Sequence, residues 1–255
     1  MPVIRTPCEG KEILENEREI PMDSNMTRSR QRRRLDQTNI STDETGQLSR
    51  RDQIAEAVIR IIGDKGVREV SHRKVDRFMC LPEGSTSPYF PRMFDLLNAG
   101  LDWLSKYDLS ALKDVHEVIA KRSSATELLH PDDVGGMMHE IWRAAAHPDR
   151  RYLLVARFEY FLLADREPEF QDCLSFYLSK LSEVDILLFK KMGAKFPEAA
   201  AAEYGIFRRG LYFSLLISPA NFQKDLSRAY FEANIRRFIH EVGAVDHRHA
   251  GPLPY

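Results

Sequence analysis

Residues 71–92 combine small hydroxyl side chains with basic side chains, and this chemistry suits contact with double-stranded DNA. Hydroxyl groups bond to the polar edges of bases, and a threonine methyl contacts the methyl group of thymine. We expect three consecutive side chains to reach the bases: Ser85, Thr86 and Ser87. The alternative is that they only cap and solvate a short helix.

Further polar and basic residues around this stretch suit the phosphates, which fix the position of a protein on DNA rather than its choice of sequence. A helix N-terminus itself attracts anions, so the residues that begin the helix before Pro82 are well placed. The predicted phosphate contacts are Arg51, Ser71, His72, Arg73, Lys74 and Arg92.

Two short helices joined by a tight turn are predicted to hold these side chains. Ser71 is a suitable N-cap, and apolar residues then recur three and four positions apart, as on one face of a helix. Pro82 ends this helix near Cys80 and suits the first position of a second helix over residues 82–88. A short polar helix held across a turn from an amphipathic helix is typical of a helix-turn-helix DNA-binding domain.

The stretch Leu81–Phe90 (LPEGSTSPYF) resembles the recognition-helix signature of the TetR-type transcriptional regulators. Residues 51–79 agree with the rest of that family's N-terminal domain in length and apolar spacing. The resemblance implies an all-helical regulator and a phosphate contact by Tyr89, whose phenol is a suitable donor; the alternative role of Tyr89 is core packing. Two departures stand out: members often have an aromatic residue in place of Ser87, and Pro88 removes a backbone donor near the end of the helix.

Charge is unevenly distributed in this chain of 255 residues, which has 43% hydrophobic residues and a net charge of −1. Residues 50–92 hold nine lysines and arginines against six acids, and residues 27–34 carry five arginines and no acid. The arginine run is interpreted as a basic arm for phosphates or an adjacent minor groove. Its alternatives are a solvated charge run or a start codon placed too far upstream. A basic N-terminal part joined to a mildly acidic remainder favours a DNA reader with a separate regulatory body.

Apolar periodicity predicts an all-α protein of about nine helices, and no sheet is expected because nothing alternates with period two. Proline or glycine marks the breaks between helices. The predicted helices lie at 51–65, 71–79, 82–88, 92–122, 131–146, 149–165, 168–192, 197–217 and 222–243. The predicted parts are a disordered basic extension (1–48), a helix-turn-helix domain (49–92), a helical regulatory and dimerisation domain (93–243) and a flexible tail (244–255).

The last two long helices, at about 197–217 and 222–243, are apolar around much of their circumference. A helix of this kind needs partners on several faces. Two such helices from each of two chains form a four-helix homodimer interface in the family that the chain resembles. The alternative is an intramolecular core.

An effector cavity is expected among the middle helices, where the resembled family places one. Polar and aromatic side chains there are mixed with apolar ones, although aromatics at helical spacing are more often ordinary core residues. The candidate ligand-binding residues are Trp103, His139, Trp142, Arg143, Arg157 and Tyr160.

Catalysis, metal binding and membrane insertion are not indicated. The chain has no GxSxG, HExxH or GxxxxGK[ST] motif, and its histidines are not spaced as metal ligands. We therefore expect no catalytic residues, no metal and no cofactor. The three cysteines form no CxxC pair, and no N-terminal segment resembles a secretion signal, so reduced thiols and a cytoplasmic location are expected.

The sequence therefore predicts a homodimeric DNA-binding transcriptional regulator, a repressor that binds a palindromic operator and responds to a small molecule. One alternative is a sequence-tolerant architectural DNA-binding protein held by the arginine arm. A helical enzyme is the third and most remote alternative.

Overall fold

A computed structural model describes residues 49–122, 128–217 and 226–240, with side chains of 113–122 left out of the description. These residues contain α-helices and no strand, which confirms the all-α prediction. The α-helices are α1 (Arg50–Lys65), α2 (His72–Phe78), α3 (Met93–Arg122), α4 (Pro131–Ala145), α5 (Arg151–Arg166), α6 (Glu169–Lys191), α7 (Pro197–Ile217) and α8 (Arg228–His240). The predicted arginine arm and the two terminal parts, 1–48 and 244–255, lie outside the described residues.

Local capping chemistry sets the ends of the N-terminal helices. The hydroxyl of Ser49 accepts from the backbone N–H of Asp52 at the start of α1, and that of Ser71 accepts from Lys74 at the start of α2. Gly66, at φ 89°, ends α1 in a conformation that residues with a Cβ rarely adopt. The predicted bounds of α1 and α2 therefore agree with the structure to within one residue.

Turns replace the helix predicted over residues 82–88, so that prediction was wrong. Ser85 N–H donates to Pro82 O (3.2 Å) and Tyr89 N–H donates to Thr86 O (3.0 Å), which are three-residue turn bonds. Gly84 has φ 89°, a value that interrupts a right-handed helix. Pro88 has no N–H, so it cannot donate the helical bond to the carbonyl four residues earlier. We refer to residues 81–90 as the 81–90 segment.

Two apolar cores hold the helices together. The first joins α1 to α3, α5 and the first part of α6, with Ile54, Val58 and Leu104 completely buried. The helices α1 and α5 approach so closely that a Cβ on Gly63 would lie 2.4 Å from the Tyr152 carbonyl oxygen. The N-terminal helices are therefore packed directly on the body.

The second core joins α4, α7 and α8 with the end of α6. Its centre consists of aromatic rings in edge-to-face contact, among them Phe189 and Phe238 with centroids 6.4 Å apart and Tyr204 and Phe238 with centroids 6.1 Å apart. Such pairs add about 0.5–1.5 kcal/mol beyond the burial of their area. This core fixes α7 and α8 side by side.

The cysteines depart in part from the prediction of three reduced thiols. Cys173 is a free thiol, whereas Cys80 is disulfide-bonded. Among the helices that the structure describes, none is both long and apolar enough to cross a membrane.

Candidate nucleic-acid interface and body cavity

Asp76 of α2 anchors the 81–90 segment. Its carboxylate is completely buried and accepts three hydrogen bonds: from the backbone N–H groups of Gly84 (2.8 Å) and Thr86 (2.9 Å) and from the Thr86 hydroxyl (2.5 Å). Hydrogen bonds to a charged group are stronger than neutral ones. The segment is therefore held on α2 by side-chain bonds in place of the backbone bonds of a helix.

Thr86 lies inside the molecule, whereas the sequence predicts it on the DNA-facing surface. The side chain is completely buried and its hydroxyl donates to Asp76, so the structure does not present Thr86 to base edges as the sequence predicts. Its hydroxyl and its backbone N–H bind the buried carboxylate of Asp76 instead. Sequence reasoning missed Asp76 because an acid next to the apolar Val75 has the pattern of an ordinary solvated helix position. Only the folded turn shows that three donors converge on it.

Arg51 and His72 brace the end of the 81–90 segment. His72 Nε2 donates to the carbonyl of Phe90 (2.6 Å), and Arg51 Nη1 donates to the carbonyl of Tyr89 (2.9 Å). The Arg51 guanidinium also lies 4.3 Å from the centroid of the Phe90 ring, which is buried. The structure gives both residues a bracing role, and phosphate contact by either stays a prediction.

The outer face of the segment is Ser87, Pro88 and Tyr89, all exposed. Tyr89 is 38% exposed, so the alternative that it packs in the core is not what the structure shows. Ser85 is half-buried, and its hydroxyl donates to the Pro82 carbonyl at 2.6 Å. Ser87 and Tyr89 are thus the predicted contacts that the structure leaves most available to a partner.

Exposed ion pairs surround this face. Each joins a predicted phosphate contact to an acid: Arg73 to Glu83 (3.1 Å), Lys74 to Glu69 (2.5 Å) and Arg92 to Asp95 (2.7 Å). The hydrogen bond that Lys74 donates lowers the pKa of Glu69, and the hydrogen bond that Arg92 donates to Asp95 raises the pKa of Arg92. Exposed pairs contribute little to stability, so these cations exchange a carboxylate for a phosphate at little cost. Ser71, also a predicted contact, is used as the cap of α2.

Arg77 extends the basic surface and was not predicted. It is exposed on α2, one turn after Arg73, and no ion-pair partner for it exists among the described residues. Residues four apart lie on the same helix face. The sequence carried this signal, because positions 73, 74 and 77 share one side of a helix whose other side is apolar.

A small cavity lies in the body, bounded by side chains from α3 to α8. Its free volume of about 80 Å³ is well under the roughly 300–1,000 Å³ of typical small-molecule pockets. Two of the six predicted ligand residues, Trp142 and Arg157, line it. The other four predicted residues do not line this cavity: Trp103, His139, Arg143 and Tyr160.

Those four side chains point elsewhere because of the helix faces on which they lie. Tyr160 is buried and donates its hydroxyl to the carbonyl of Leu97 (2.7 Å), and Trp103 stacks on Tyr107 with centroids 5.5 Å apart. His139 and Arg143 border a separate surface depression, where Arg143 is exposed. The structure therefore does not bring the six candidate residues together at this cavity, and ligand binding by any of them stays a prediction.

A buried ion pair, which sequence reasoning missed, forms one wall of the cavity. Arg157 of α5 donates from Nε to Asp108 of α3 (2.9 Å) and also from Nη2, and Tyr177 of α6 donates to the same carboxylate (2.5 Å). Burial lowers the pKa of Arg157, but the carboxylate of Asp108 outweighs it, so the pKa is raised. Burial, and then the Asp108 charge, raise the pKa of Tyr177 well above its ordinary value. Three helices thus meet at one charged group.

A second buried pair adjoins the cavity through Arg208. Arg208 of α7 bonds to Asp185 of α6 through both terminal nitrogens (3.0 and 2.9 Å) and lies 5.1 Å from the Tyr204 ring centroid. Burial raises the pKa of the Tyr204 phenol, with Arg208 opposing it. The interior of the body is therefore aromatic and apolar, with charges held in pairs.

No protein-family model and no curated protein matches this chain. Solved structures do match. A transcriptional regulator from Rhodococcus sp. Rha1 is 15% identical, with a TM-score of 0.60 over 76% of this chain and 96% of that one. A TetR family member from Streptomyces coelicolor A3 is 19% identical, with a TM-score of 0.58 over 75% of this chain and 98% of that one. The multidrug binding protein EbrR in complex with ethidium is 21% identical, with a TM-score of 0.54 over 75% of this chain and 99% of that one.

These identities show a shared fold. The chain has the fold of TetR-family transcriptional regulators, and the resemblance seen in the sequence is confirmed at that level.

Proposed function

We propose that this protein is a transcriptional regulator that binds double-stranded DNA through α2 and the 81–90 segment. The observation that carries the proposal is the exposed face of Ser87, Pro88 and Tyr89, fixed from behind by Asp76. A segment braced in this way meets DNA without first becoming ordered, which avoids an entropic cost. The cations of α2 supply phosphate contacts beside it. Such a protein acts where the DNA lies, in the cytoplasm.

The proposal includes a homodimer, a palindromic operator and repression. One DNA-binding domain contacts few base pairs, and a twofold-symmetric pair of such domains contacts twice as many. The helix α7 exposes Ile206 (57%), Phe213 (50%) and Ile217 (63%) on one face, and Tyr230 of α8 is 37% exposed. An apolar face of this kind suits a second copy of the chain packed isologously.

Ile206→Glu should convert the dimer to a monomer in sedimentation velocity, because a charge is placed at the proposed contact. Leu187→Glu is the matched control, since Leu187 is 46% exposed on α6. A wild-type monomer at micromolar concentration would contradict the proposed dimer.

The proposed switch is a small molecule in the body cavity. The helix α5 carries Arg157 toward the cavity, while Glu159 on the same helix accepts from the backbone N–H of Val67 (3.2 Å), next to α1. A ligand that binds two arrangements of α5 with different affinity shifts the position of the N-terminal helices. The proposal is supported by EbrR, a protein of similar fold that is complexed with ethidium and with malachite green.

Selection of bound sequences from random double-stranded DNA tests the DNA-binding proposal. We expect an enriched palindrome. Arg77→Ala should weaken binding to all sequences alike and reduce the salt slope by about one, whereas Ser87→Ala should relax the choice of sequence. The exposed Arg150 offers a control, because it belongs to neither α2 nor the 81–90 segment. Absence of any enriched sequence would contradict the proposal.

The arginine run at 28–34 supports a second candidate, a sequence-tolerant architectural DNA-binding protein. Competition between the selected operator and random DNA separates the two functions. Under the regulator proposal, Ser87→Ala lowers the specificity ratio; under the architectural one, it changes little. We propose no catalytic role, since similar solved structures are named as transcriptional regulators.

A further inference from the structure

The body cavity has a wall that is mostly apolar and aromatic. Of its lining side chains that the structure describes, only four carry a charge, and four phenylalanine rings are among the rest: Phe158, Phe161, Phe207 and Phe231. Apolar cavities in proteins stay dry and take apolar guests, because water finds too few hydrogen-bond partners in them. The residue types of the wall therefore favour an apolar ligand, provided that none of the four charges requires a counter-ion.

Two of the four charges neutralise each other. Arg157 donates to Asp108 from Nε (2.9 Å) and from Nη2, and Tyr177 donates to the same carboxylate (2.5 Å). A ligand carboxylate would compete with Asp108 for Arg157, and a ligand cation would compete with Arg157 for Asp108. Breaking a buried ion pair is costly, so this pair supplies its own counter-charges and needs none from a ligand.

The other two charges also have partners. Arg208 bonds to Asp185 through both terminal nitrogens (3.0 and 2.9 Å), and Asp185 is 2% exposed. Arg209 has a partner within the chain as well, and its Nη1 lies back along α7, 3.4 Å from the position that a Cβ of Gly205 would occupy. An ion in the cavity would therefore lose its hydration without meeting an unpaired opposite charge, at a large cost in free energy.

The uncharged polar groups on the wall add no site for an ion. The hydroxyl of Tyr204 donates to Met138 Sδ at 2.7 Å, so it is already used. Trp142 borders both the cavity and the surface depression, and its indole N–H has no hydrogen-bond partner among the described residues. That N–H is a neutral donor and places no charge on the wall.

The cavity is small, but one of its lining side chains is able to make room. The free volume is about 80 Å³, against about 150 Å³ for an engineered apolar cavity that binds benzene. Met138 of α4 is unbranched, and methionine side chains adapt to irregular spaces in several conformations. Since sulfur is a weak acceptor, the hydrogen bond from Tyr204 restrains Met138 only slightly.

We infer that the cavity takes a small uncharged apolar molecule, the size of one aromatic ring, which enters as the Met138 side chain moves aside. The inference rests on the proposed function, because it names the chemical class of the proposed effector. A ring bound there lies against Phe158 of α5, and aromatic rings pack favourably edge to face or offset. Glu159, the next residue of α5, accepts from the backbone N–H of Val67, so the bound ring acts on the helix that contacts the N-terminal part.

Three single-ring probes added to the full chain test the ligand class. The probes are toluene, benzoate and benzylammonium, which are similar in size and differ in charge. In chemical-shift titrations, toluene should bind at least about tenfold more tightly than either ion, because only the ions lose hydration without compensation. Either ion binding as tightly as toluene would overturn the inference, as would no binding of toluene up to its solubility in water.

The methionine methyl groups locate the bound probe in the wild-type protein. With an isotope label on these methyl groups, bound toluene should give nuclear Overhauser effects to Met138 and none to Met192. The two residues are 3% and 5% exposed in the same core, but only Met138 lines the cavity. Nuclear Overhauser effects to Met192 and not to Met138 would place the ring elsewhere and overturn the inference.

The same two methionines give a matched pair of variants that nearly conserve core volume. Met138→Leu should weaken toluene binding about fivefold, since a branched side chain has fewer conformations in which it makes room. Met192→Leu should leave toluene binding within about twofold. Exchange of methionine for leucine is well tolerated in cores, so both variants should fold. Equal losses in the two variants would overturn the role of Met138.

Mobility shifts with the selected operator separate a failure of this inference from a failure of the regulator proposal. Toluene that binds without altering operator affinity keeps the ligand class and refutes the switch. Operator affinity that responds to benzoate or benzylammonium and not to toluene refutes the ligand class and keeps the regulator. Toluene binding by a protein that selects no operator keeps the ligand class and refutes the regulator.

Discussion

The DNA-binding surface and the body handle charge in opposite ways. Around α2 the cations are exposed, and those that form ion pairs join an acid of their own neighbourhood, as Arg73 does with Glu83. In the body the guanidiniums of Arg157 and Arg208 are inside, bound to carboxylates from other helices. The surface pairs join nearby residues, whereas the interior pairs join separate helices.

This difference shows which ion pairs can exchange partners and which hold the helices together. An exposed pair exchanges partners at little cost, because water screens both charges. A buried pair cannot lose one partner without leaving a charge in a medium that solvates it poorly. The α2 surface is therefore suited to an external anion, and the body pairs define how α3, α5, α6 and α7 fit together.

The largest effect expected is on a body pair. Arg157→Met leaves the Asp108 carboxylate without its cation and should lower the free energy of unfolding by about 3–5 kcal/mol. The triple variant Asp108→Leu/Arg157→Met/Tyr177→Phe should recover most of this loss. Urea unfolding measures both, and a single variant as stable as the wild type would show that the pair is not structural.

Asp76 differs from the exposed ion pairs of the N-terminal part, because its carboxylate is completely buried. Asp76→Ala leaves three donors of Gly84 and Thr86 unpaired and should lower the free energy of unfolding by about 1–3 kcal/mol. It should also weaken binding to the operator. Asp64→Ala, at the exposed end of α1, is the control and should stay within about 0.5 kcal/mol. Thermal unfolding and mobility shifts together show whether the anchor acts on both stability and binding.

Alkaline pH should weaken the body through its buried phenols. Burial raises the pKa of Tyr177, Tyr204 and Tyr160, whereas unfolded tyrosines ionise near about pH 10. The unfolded state then binds fewer protons than the native state, so stability is complete below about pH 10 and falls as the pH rises further.

Each such phenol contributes a slope of about 1.4 kcal/mol per pH unit. Tyr177→Phe should remove one such contribution from the slope of the free energy of unfolding against pH. Urea unfolding between about pH 9 and 11 measures this slope. Tyr89→Phe is the comparison from the DNA-binding surface, because it removes an exposed phenol. Equal slopes in the wild type and Tyr177→Phe would contradict the argument.

The smallest effect is expected on a surface pair. Glu83→Gln removes the partner of Arg73, whose side chain is 75% exposed, and should change stability by less than about 1 kcal/mol. Operator affinity should rise slightly, because a carboxylate no longer competes with phosphate for Arg73. A fall in affinity would show that the pair positions Arg73 for binding.

The helices and their bounds could be predicted from the sequence because their causes are local. Ser49 and Ser71 cap neighbouring residues, and the predicted α7 bounds, 197–217, are those of the structure. The helix predicted over residues 82–88 was wrong because the prediction followed Pro82, which suits a helix start, although Gly84 and Pro88 both interrupt a helix. Both interruptions were present in the sequence.

The site residues were predicted less well because their partners are distant in sequence. Arg157 is 49 positions from Asp108, and Tyr177 is 69 positions from it. Trp103 and Trp142 are alike in type and burial, yet only Trp142 lines the cavity. Nothing in the local pattern distinguishes them.

The sequence by itself determined the all-α class, the helix ends and the basic, hydroxyl-rich surface of residues 71–92, since these follow from periodicity, capping and composition. The tertiary structure alone decided that Thr86 faces Asp76 rather than solvent, and that two arginines are enclosed with their acids. The physical reason is that hydrogen bonds and ion pairs act over a few ångströms. Packing brings remote residues within that range, whereas spacing along the chain does not record it.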